Sequence, residues 1–452
     1  MNPSRLQDEA GITLQAARFA ADRSIDFPNI ALDFARLSFY DFFAVALAGR
    51  DEPASRIVRE LVKSEGGTPE ASAFGIETRI PARAAALLNG TVAHVLDYDD
   101  THFAFVGHPS VAVLPAALAM AEQQQADGDV LLEAFLCGVE TTCRIGAWLG
   151  RAHYNAGFHQ TATSGAFGAT AACARLLKLD VTQSTHALGL AATRASGLKC
   201  QFGTMGKPFH AGMAAASGVE TATLASLGFA SRPDAIECAG GFAATHGAQS
   251  DDCFDPFEGL PRQFRFAEIQ YKFHACCHGT HPALEALLAL RAEQRLEPAD
   301  IDRVSLHIHP QWLPVCCIAR PRTGLEAKFS LAFTAAMVLN GVDTAAPGSF
   351  SDPMCDDPAL VSLMSRVSIR ADPDVTDTAS RAVIVTRDGA CFEHTVELAD
   401  PMPSAQQLLK LQNKARVLIG AALAEELWGF VESLQVLPAR EVYPRIHALM
   451  NP

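Results

Sequence analysis

Between Thr161 and Leu227 the chain is built mainly from Ala, Gly, Ser and Thr, in stretches such as ATSGAFGATAACARLL, HALGLAATRASGL and HAGMAAASGVETATLASLGF. Side chains this small let helix backbones approach closely, so the region is expected to form a tightly packed central helix bundle. Two interruptions carry charge. Residues 152–160 (AHYNAGFHQ) are expected as a loop leading into a helix after Thr161. In residues 202–210 (FGTMGKPFH), Gly206 and Pro208 flank a lone Lys207 and are expected to fix a backbone shape that a helix would not supply.

Upstream the pattern is also helical. From Leu14 to Gly49 apolar residues recur at three- and four-residue steps, as on the buried stripes of two helices broken near Pro28. Further helices are expected over Ala54–Ser64, Pro81–Ala93, Val111–Gln125 and Val130–Gly150, the last two separated by the turn Asp127-Gly128-Asp129. Near Arg265 the character changes. Residues 267–273 (AEIQYKF) and 304–309 (VSLHIH) alternate like strands, and helices are expected over Pro282–Gln294 and Leu325–Asn340. A short helix at Leu360–Met364 and strands at Ser368–Ala371, Ala382–Thr386 and Phe392–Leu398 follow, with Arg387-Asp388-Gly389 as a hairpin turn. From Ser404 the chain returns to helix. At 452 residues the chain exceeds the roughly 250–300 residues at which single cores stop growing. The expected architecture is therefore mainly α: an all-helical domain of residues 1–266 completed by 403–452, and a smaller α+β domain of residues 267–402.

Lys and Arg number 36 against 50 Asp and Glu, a net charge of −14, which argues against nucleic acid and against a polybasic membrane patch. An anionic substrate would need a locally basic pocket. The N-terminal segment has no uninterrupted apolar core of the kind a secretion signal needs, and no apolar run approaches the roughly 20 residues of a membrane helix. A cytoplasmic protein is expected, with its twelve cysteines as reduced thiols. The adjacent pairs Cys276-Cys277 and Cys316-Cys317 lack the C-x-x-C spacing that lets two thiolates face one metal, so no iron–sulfur or zinc site is expected.

One stretch stands out chemically. Residues 89–122 crowd His94, Asp97, Asp99, Asp100, Thr101, His102 and His108 between apolar segments, a density that is expensive unless each group finds a partner. Asp97, Asp99 and Asp100 are oxygen donors suited to Mg²⁺, but they are close-spaced and no phosphate-binding loop accompanies them. The plainer reading makes Asp99 or Asp100 a helix cap or the partner of a neighbouring base. His108 is either a helix-start residue or a catalytic one. Lys207, inside an apolar bundle, must reach solvent or meet an anion.

The segments LNGTVAHVLDYDDTH, GHPSVAVLPAALA, MGKPFHAGMAAASGV, YKFHACCHGTHPALEA and GLEAKFSLAF, in this order and spacing, resemble the MmgE/PrpD family, which includes 2-methylcitrate dehydratase, cis-aconitate decarboxylase and iminodisuccinate epimerase. The resemblance covers nearly the whole chain. It implies a large helical domain, a smaller α+β domain, a site between them, a homodimer and cofactor-free chemistry with no metal. Carried over residue by residue, it places catalytic groups at Asp97, His108, His159 and Lys207, and substrate-binding groups at Thr101, Lys272, Cys277 and Cys317. Two departures are visible: His274-Ala275 stands where relatives commonly carry Tyr-Pro, and Cys277 and Cys317 fall where the decarboxylase branch carries His and Tyr. The implied reaction removes a proton beside a carboxylate of a small di- or tricarboxylate, with a base aimed at C–H and cations stabilising the developing charge. A dehydratase-type lyase is expected first, then an epimerase, then a decarboxylase; a non-catalytic binding protein on the same fold is the reading from another class.

Overall fold

The two helices expected around Pro28 are α1 (Ile12–Ala21) and α2 (Asn29–Gly49), with Pro28 at the cap of α2. α2 buries Phe34, Phe39, Phe42 and Phe43 together with most of its other residues, so it runs through the interior. The computed structural model describes residues 11–247 and 255–452. Residues 1–10, which contribute to the segment read for a secretion signal, lie outside the described residues.

After α3 (Pro53–Glu65) comes an antiparallel hairpin, β1 (Ala71–Ala73) and β2 (Ile76–Ile80), that the sequence pattern did not reveal. Its strands are too short for a period of two to register, and Gly75 at φ 71° makes the turn. The helical series continues as α4 (Ala82–His94), α5 (Ser110–Gln124), α6 (Gly128–Asn155), α7 (Gln160–Leu176), α8 (Val181–Arg194), α9 (Gly206–Ser226) and the single turn α10 (Phe242–Thr245).

Two expectations are corrected here. α6 passes through a non-helical Gly150 (φ 66°) and resumes to Asn155, so the loop expected over 152–160 shrinks to 156–159. Gly206 and Pro208 do not break the helix; they open α9. Proline is compatible with a first turn because the N–H it lacks would have no intrahelical acceptor there.

The small residues behave as their size dictates. A methyl group on Gly212 of α9 would collide with Leu87 O of α4, and one on Gly90 would lie 2.9 Å from the Gly212 Cα. Gly168 of α7 meets Thr142 and Gly138 of α6 in the same way.

The second half of the chain forms α11 (His281–Gln294), β3 (Ile301–Ile308), α12 (Leu313–Cys316), α13 (Gly324–Ala327), α14 (Leu331–Leu339), α15 (Asp352–Cys355), α16 (Pro358–Met364), β4 (Val367–Ala371), β5 (Ala379–Thr386), β6 (Cys391–Glu397) and α17 (Ser404–Ile419). The sheet order is β4-β3-β5-β6, with β3 and β4 parallel and the other pairs antiparallel. The hairpin turn expected at Arg387-Asp388-Gly389 joins β5 to β6, with Gly389 at φ 90°. The expected helix over 325–340 is two pieces, because the Ser330 hydroxyl accepts the Phe333 N–H and starts α14 afresh. The expected strand over 267–273 is absent. A 3-10 turn occupies Arg265–Glu268, and only Gln270 pairs, with Thr101.

The chain divides into two compact units, Met1–Tyr271 with Ile419–Pro452, and Lys272–Leu418. The dividing points thus lie at 271 and 418, whereas 266 and 402 were expected: Gln270 is tied to Thr101, while Lys410 of α17 pairs with Glu285 of α11 at 2.8 Å. The first unit is completed by α18 (Ala421–Ser433) and α19 (Ala439–Met450), where the Tyr443 hydroxyl donates to Ala126 O at 2.6 Å. The fold is mainly α, with a smaller α+β part. Among the described residues no helix is long and apolar enough to cross a membrane.

Candidate active site

The polar stretch forms the connection from α4, which ends at His94, to α5, which starts at Ser110. Its backbone is pinned in two places. Thr101 and Gln270 exchange N–H···O bonds of 2.8 Å each, and His102 pairs with Gly107 at 2.9 and 3.4 Å. Asp97 (φ 51°) and Val106 (φ 57°) both sit in the left-handed region. Aspartate visits that region readily; a β-branched valine does so only under constraint.

Asp99 is the centre of the arrangement. It is 1% exposed, and both carboxylate oxygens face His94 Nδ1, at 2.9 and 3.0 Å. His108 Nδ1 lies 2.9 Å from Asp99 Oδ2, although angled away from a straight hydrogen bond. Burial pushes the Asp99 carboxyl up, but the two imidazoles outweigh that and hold it well below its ordinary value. The carboxylate is therefore charged, and its nearness favours the N–H tautomer at His108 Nδ1. His108 itself is lowered to about 4, chiefly by burial and further by His94 and Lys207, against the pull of Asp99. At neutral pH it is an uncharged imidazole whose Nε2 is left as a base.

That Nε2 lies 3.4 Å from Asp97 Oδ1. The same oxygen holds the Lys207 ammonium at 2.7 Å, and Lys207 also sits 5.3 Å from the centre of the Phe202 ring. Lys207 reaches Asp97 because it occupies the first turn of α9, a helix locked against α4 through Gly212 and Gly90. His159 caps α7, stacks on His94 at 5.8 Å and faces His210, Nδ1 to Nδ1, at 3.1 Å. Burial, reinforced by the neighbouring histidines and Lys207, holds His159 well below its ordinary value.

Asp100 points elsewhere. It accepts the Ser110 N–H at 3.3 Å and the Ser110 hydroxyl, fastening the start of α5. Burial, reinforced by Asp41, raises its carboxyl to about 8, so it is protonated at neutral pH.

Of the residues singled out from sequence, the structure brings Asp97, His108, His159 and Lys207 into one cluster in the first unit. Thr101 belongs to the same loop, where its backbone groups and, at 3.4 Å, its hydroxyl meet Gln270. Lys272, Cys277 and Cys317 belong to the second unit. Lys272 is buried there, near Cys276 and His281. Asp99, which was read as a helix cap or the partner of a base, is the group that favours the His108 tautomer, whereas Asp97 holds a lysine. His94, named in the polar stretch but given no role, also joins the cluster, as does His210, which was missed because a histidine inside a bundle reads as a satisfied core residue. The donors of His94, Asp97, Asp99 and His108 lie within 4.8 Å of one another, a spacing compatible with a metal ion. The Asp97 and Asp99 carboxylates already face Lys207 and the two imidazoles, so an ion would have to displace these contacts.

The MmgE/PrpD N-terminal domain matches residues 15–253, and the MmgE/PrpD C-terminal domain matches residues 274–428. The chain belongs to the MmgE/PrpD family. Curated relatives of this MmgE/PrpD chain include the cis-aconitate decarboxylase of Homo sapiens, 30% identical over 333 residues, which cover 70% of this chain and 68% of that protein. The mouse (Mus musculus) cis-aconitate decarboxylase is 28% identical, covering 81% and 79%. That of Aspergillus terreus is 27% identical and covers 98% of this chain and 97% of its own.

Proposed function

We propose that this MmgE/PrpD protein is a cofactor-independent lyase acting on a small tricarboxylate or dicarboxylate. One observation carries the reading: His108, uncharged and backed by the Asp99 carboxylate, stands beside the Lys207 ammonium, a base and a cation within one cluster. His108 Nε2 takes the proton from the carbon next to a carboxylate. Negative charge then gathers on that carboxylate, and Lys207 stabilises it, exchanging Asp97 for the substrate oxygen as its partner. His159 supplies a second imidazole in the same cluster.

A base that is uncharged at rest fits proton removal as the first step, which favours elimination of water in the manner of 2-methylcitrate dehydratase. Thiols at positions 277 and 317, where the decarboxylase branch carries His and Tyr, support the same preference. The second reading is decarboxylation, supported by the names of the relatives. We also infer a homodimer, to be checked by light scattering of the purified protein.

The decisive experiment incubates the purified protein in D₂O with hydroxy- and amino-substituted di- and tricarboxylates and with cis-aconitate, following deuterium uptake, water loss and CO₂ release. Loss of water from a hydroxytricarboxylate supports the dehydratase. CO₂ release from cis-aconitate replaces it with the decarboxylase. Deuterium at a retained stereocentre without elimination replaces it with an epimerase, and silence across the panel sinks all three.

A further inference from the structure

His159 and His210 meet nitrogen to nitrogen, and the backbone around them is built for the meeting. The N–H of His159, at the cap of α7, donates to Gly197 O at 3.0 Å. His210 follows Lys207 by three residues on α9, so the two share one helix face. That face sends Lys207 to Asp97 and His210 to His159. Gly197 leaves the space they need: an added methyl would lie 2.7 Å from the Ala162 Cβ and 3.3 Å from His210 Nδ1. The two Nδ1 atoms end 3.1 Å apart, with the rings inclined at 50°.

Nitrogens at that distance are joined by a single proton, since two N–H groups or two lone pairs facing each other would repel. One ring therefore donates through Nδ1 and the other accepts. Both residues are buried, and burial, reinforced by His94 and Lys207, lowers both rings. Each is uncharged at neutral pH and has one N–H to place. The free nitrogen of His159 is Nε2, on the far side of its ring from His210. His159 stacks on His94, which packs against His108 at 4.6 Å, and the His108 N–H donates to Thr161 Oγ1 in the first turn of α7 at 3.0 Å. His159 is thus tied to the proposed base through both side chain and backbone.

A carboxylate only accepts hydrogen bonds. An uncharged His159 can bond to one through Nε2 only if its proton sits there, which makes its Nδ1 the acceptor and places a proton on His210 Nδ1. We propose that His210 is a positioning residue: by donating its Nδ1–H to His159 Nδ1, it keeps the His159 proton on Nε2 as a neutral donor to the substrate carboxylate. This rests on the reading of the cluster as a site that takes a carboxylate, and not on which reaction follows. A neutral donor suits the position, because a second cation beside the Lys207 ammonium would be repelled, whereas an N–H adds a hydrogen bond to the gathering charge without that cost. The arrangement also leaves a signature. A free imidazole prefers its proton on Nε2, so His210 is held in the less common form.

The test labels the histidine ring nitrogens of the full-length, ligand-free protein and reads, by two-bond proton–nitrogen correlation at neutral pH, which nitrogen of each ring is protonated. Spectra of His159→Gln and His210→Asn identify the two rings. The expected result is His159 protonated on Nε2 and His210 on Nδ1; the reverse pattern, or a cationic ring in either, overturns the proposal. A second measurement uses whichever reaction the D₂O panel identifies. His210→Leu, which keeps the bulk and loses the donor, is expected to lower kcat/KM by ~5- to 20-fold, whereas His210→Asn, whose amide nitrogen takes the place of Nδ1, recovers most of that loss. Wild-type turnover in His210→Leu, or an equal loss in both variants with both folded by circular dichroism, leaves His210 a packing residue and overturns the proposal. Should His210→Leu fail to fold, the wild-type spectrum carries the test. Because that spectrum needs no substrate, it decides the role of His210 even where the dehydratase reading fails.

Discussion

Asp99 serves two imidazoles at once, and the chemistry proposed for His108 depends on it. Asp99→Asn keeps the shape but removes the charge that fixes the His108 tautomer, and is expected to lower kcat by ~10²- to 10⁴-fold with an unchanged circular dichroism spectrum. Because the folded carboxyl lies well below its unfolded value, the stability Asp99 contributes is present above about pH 4 and is lost as pH falls through the folded value. Urea midpoints measured between pH 5 and 2 are therefore expected to fall more steeply in wild type than in Asp99→Asn. Asp100 has the opposite sign. Its folded carboxyl is raised to about 8, so the stability it permits is fullest below about pH 4 and declines as pH rises toward 8. Asp100→Asn, which cannot ionise, is expected to flatten the fall in urea midpoint from pH 5 to 8. Lys207→Ala is expected to reduce kcat/KM at least ~10²-fold in steady-state assays while leaving the melting temperature unchanged. Part of this clustering was legible in the sequence, since Asp97, His108 and Lys207 stood out against apolar neighbours, while His159 came only from the family resemblance. The division of labour was not. Asp97, Asp99 and Asp100 are near-neighbours of one residue type, and only the left-handed turn at Asp97 sends them to a lysine, a histidine pair and a helix start.

At the scale of elements, α4 delivers His94 and α9 delivers Lys207, and glycines bring the two helices together. Gly212→Ala places a methyl group on the Leu87 carbonyl and is expected to destabilise the protein by ~1–3 kcal/mol in urea titrations. Because the same shift moves the first turn of α9, KM is expected to rise as well. Helix existence was readable because the 3.6-residue period and the turn residues agree from Leu14 to Leu227. Three details were hidden for physical reasons. Gly206 and Pro208 mark a helix start as readily as a break, and the structure uses them as a start. Ser330, inside an apolar run, interrupts a helix only because its hydroxyl caps the next one. Residues 267–273 alternate as a strand would, yet only Gln270 finds a partner, in Thr101.

Across the helical unit as a whole, a single buried ion pair secures the return of the chain to the site. Arg144 on α6 pairs with Glu140 and donates to the carbonyls of Pro256, Glu258 and Gln263, at 2.6, 2.9 and 2.6 Å. Glu140 in turn accepts the Arg265 and Phe266 N–H groups at 2.9 and 2.8 Å. The segment so held ends at Gln270, which fastens Thr101. Arg144→Met leaves Glu140 buried without its cation and strands three carbonyls, so a loss of ~3–5 kcal/mol is expected in denaturant titrations. No sequence pattern announces this tie, because its partners are mostly backbone atoms more than a hundred residues away.

Val106, held at φ 57° in the loop that carries Asp97 and His108, gives the site an evolutionary character. A left-handed valine stores roughly 1–2 kcal/mol that a glycine would release. Selection for heat tolerance alone would reward that release and loosen the loop, whereas selection for turnover rewards keeping it taut. In a lineage adapting to a warmer habitat or to a new substrate, this short connection is where the two pressures pull in opposite directions.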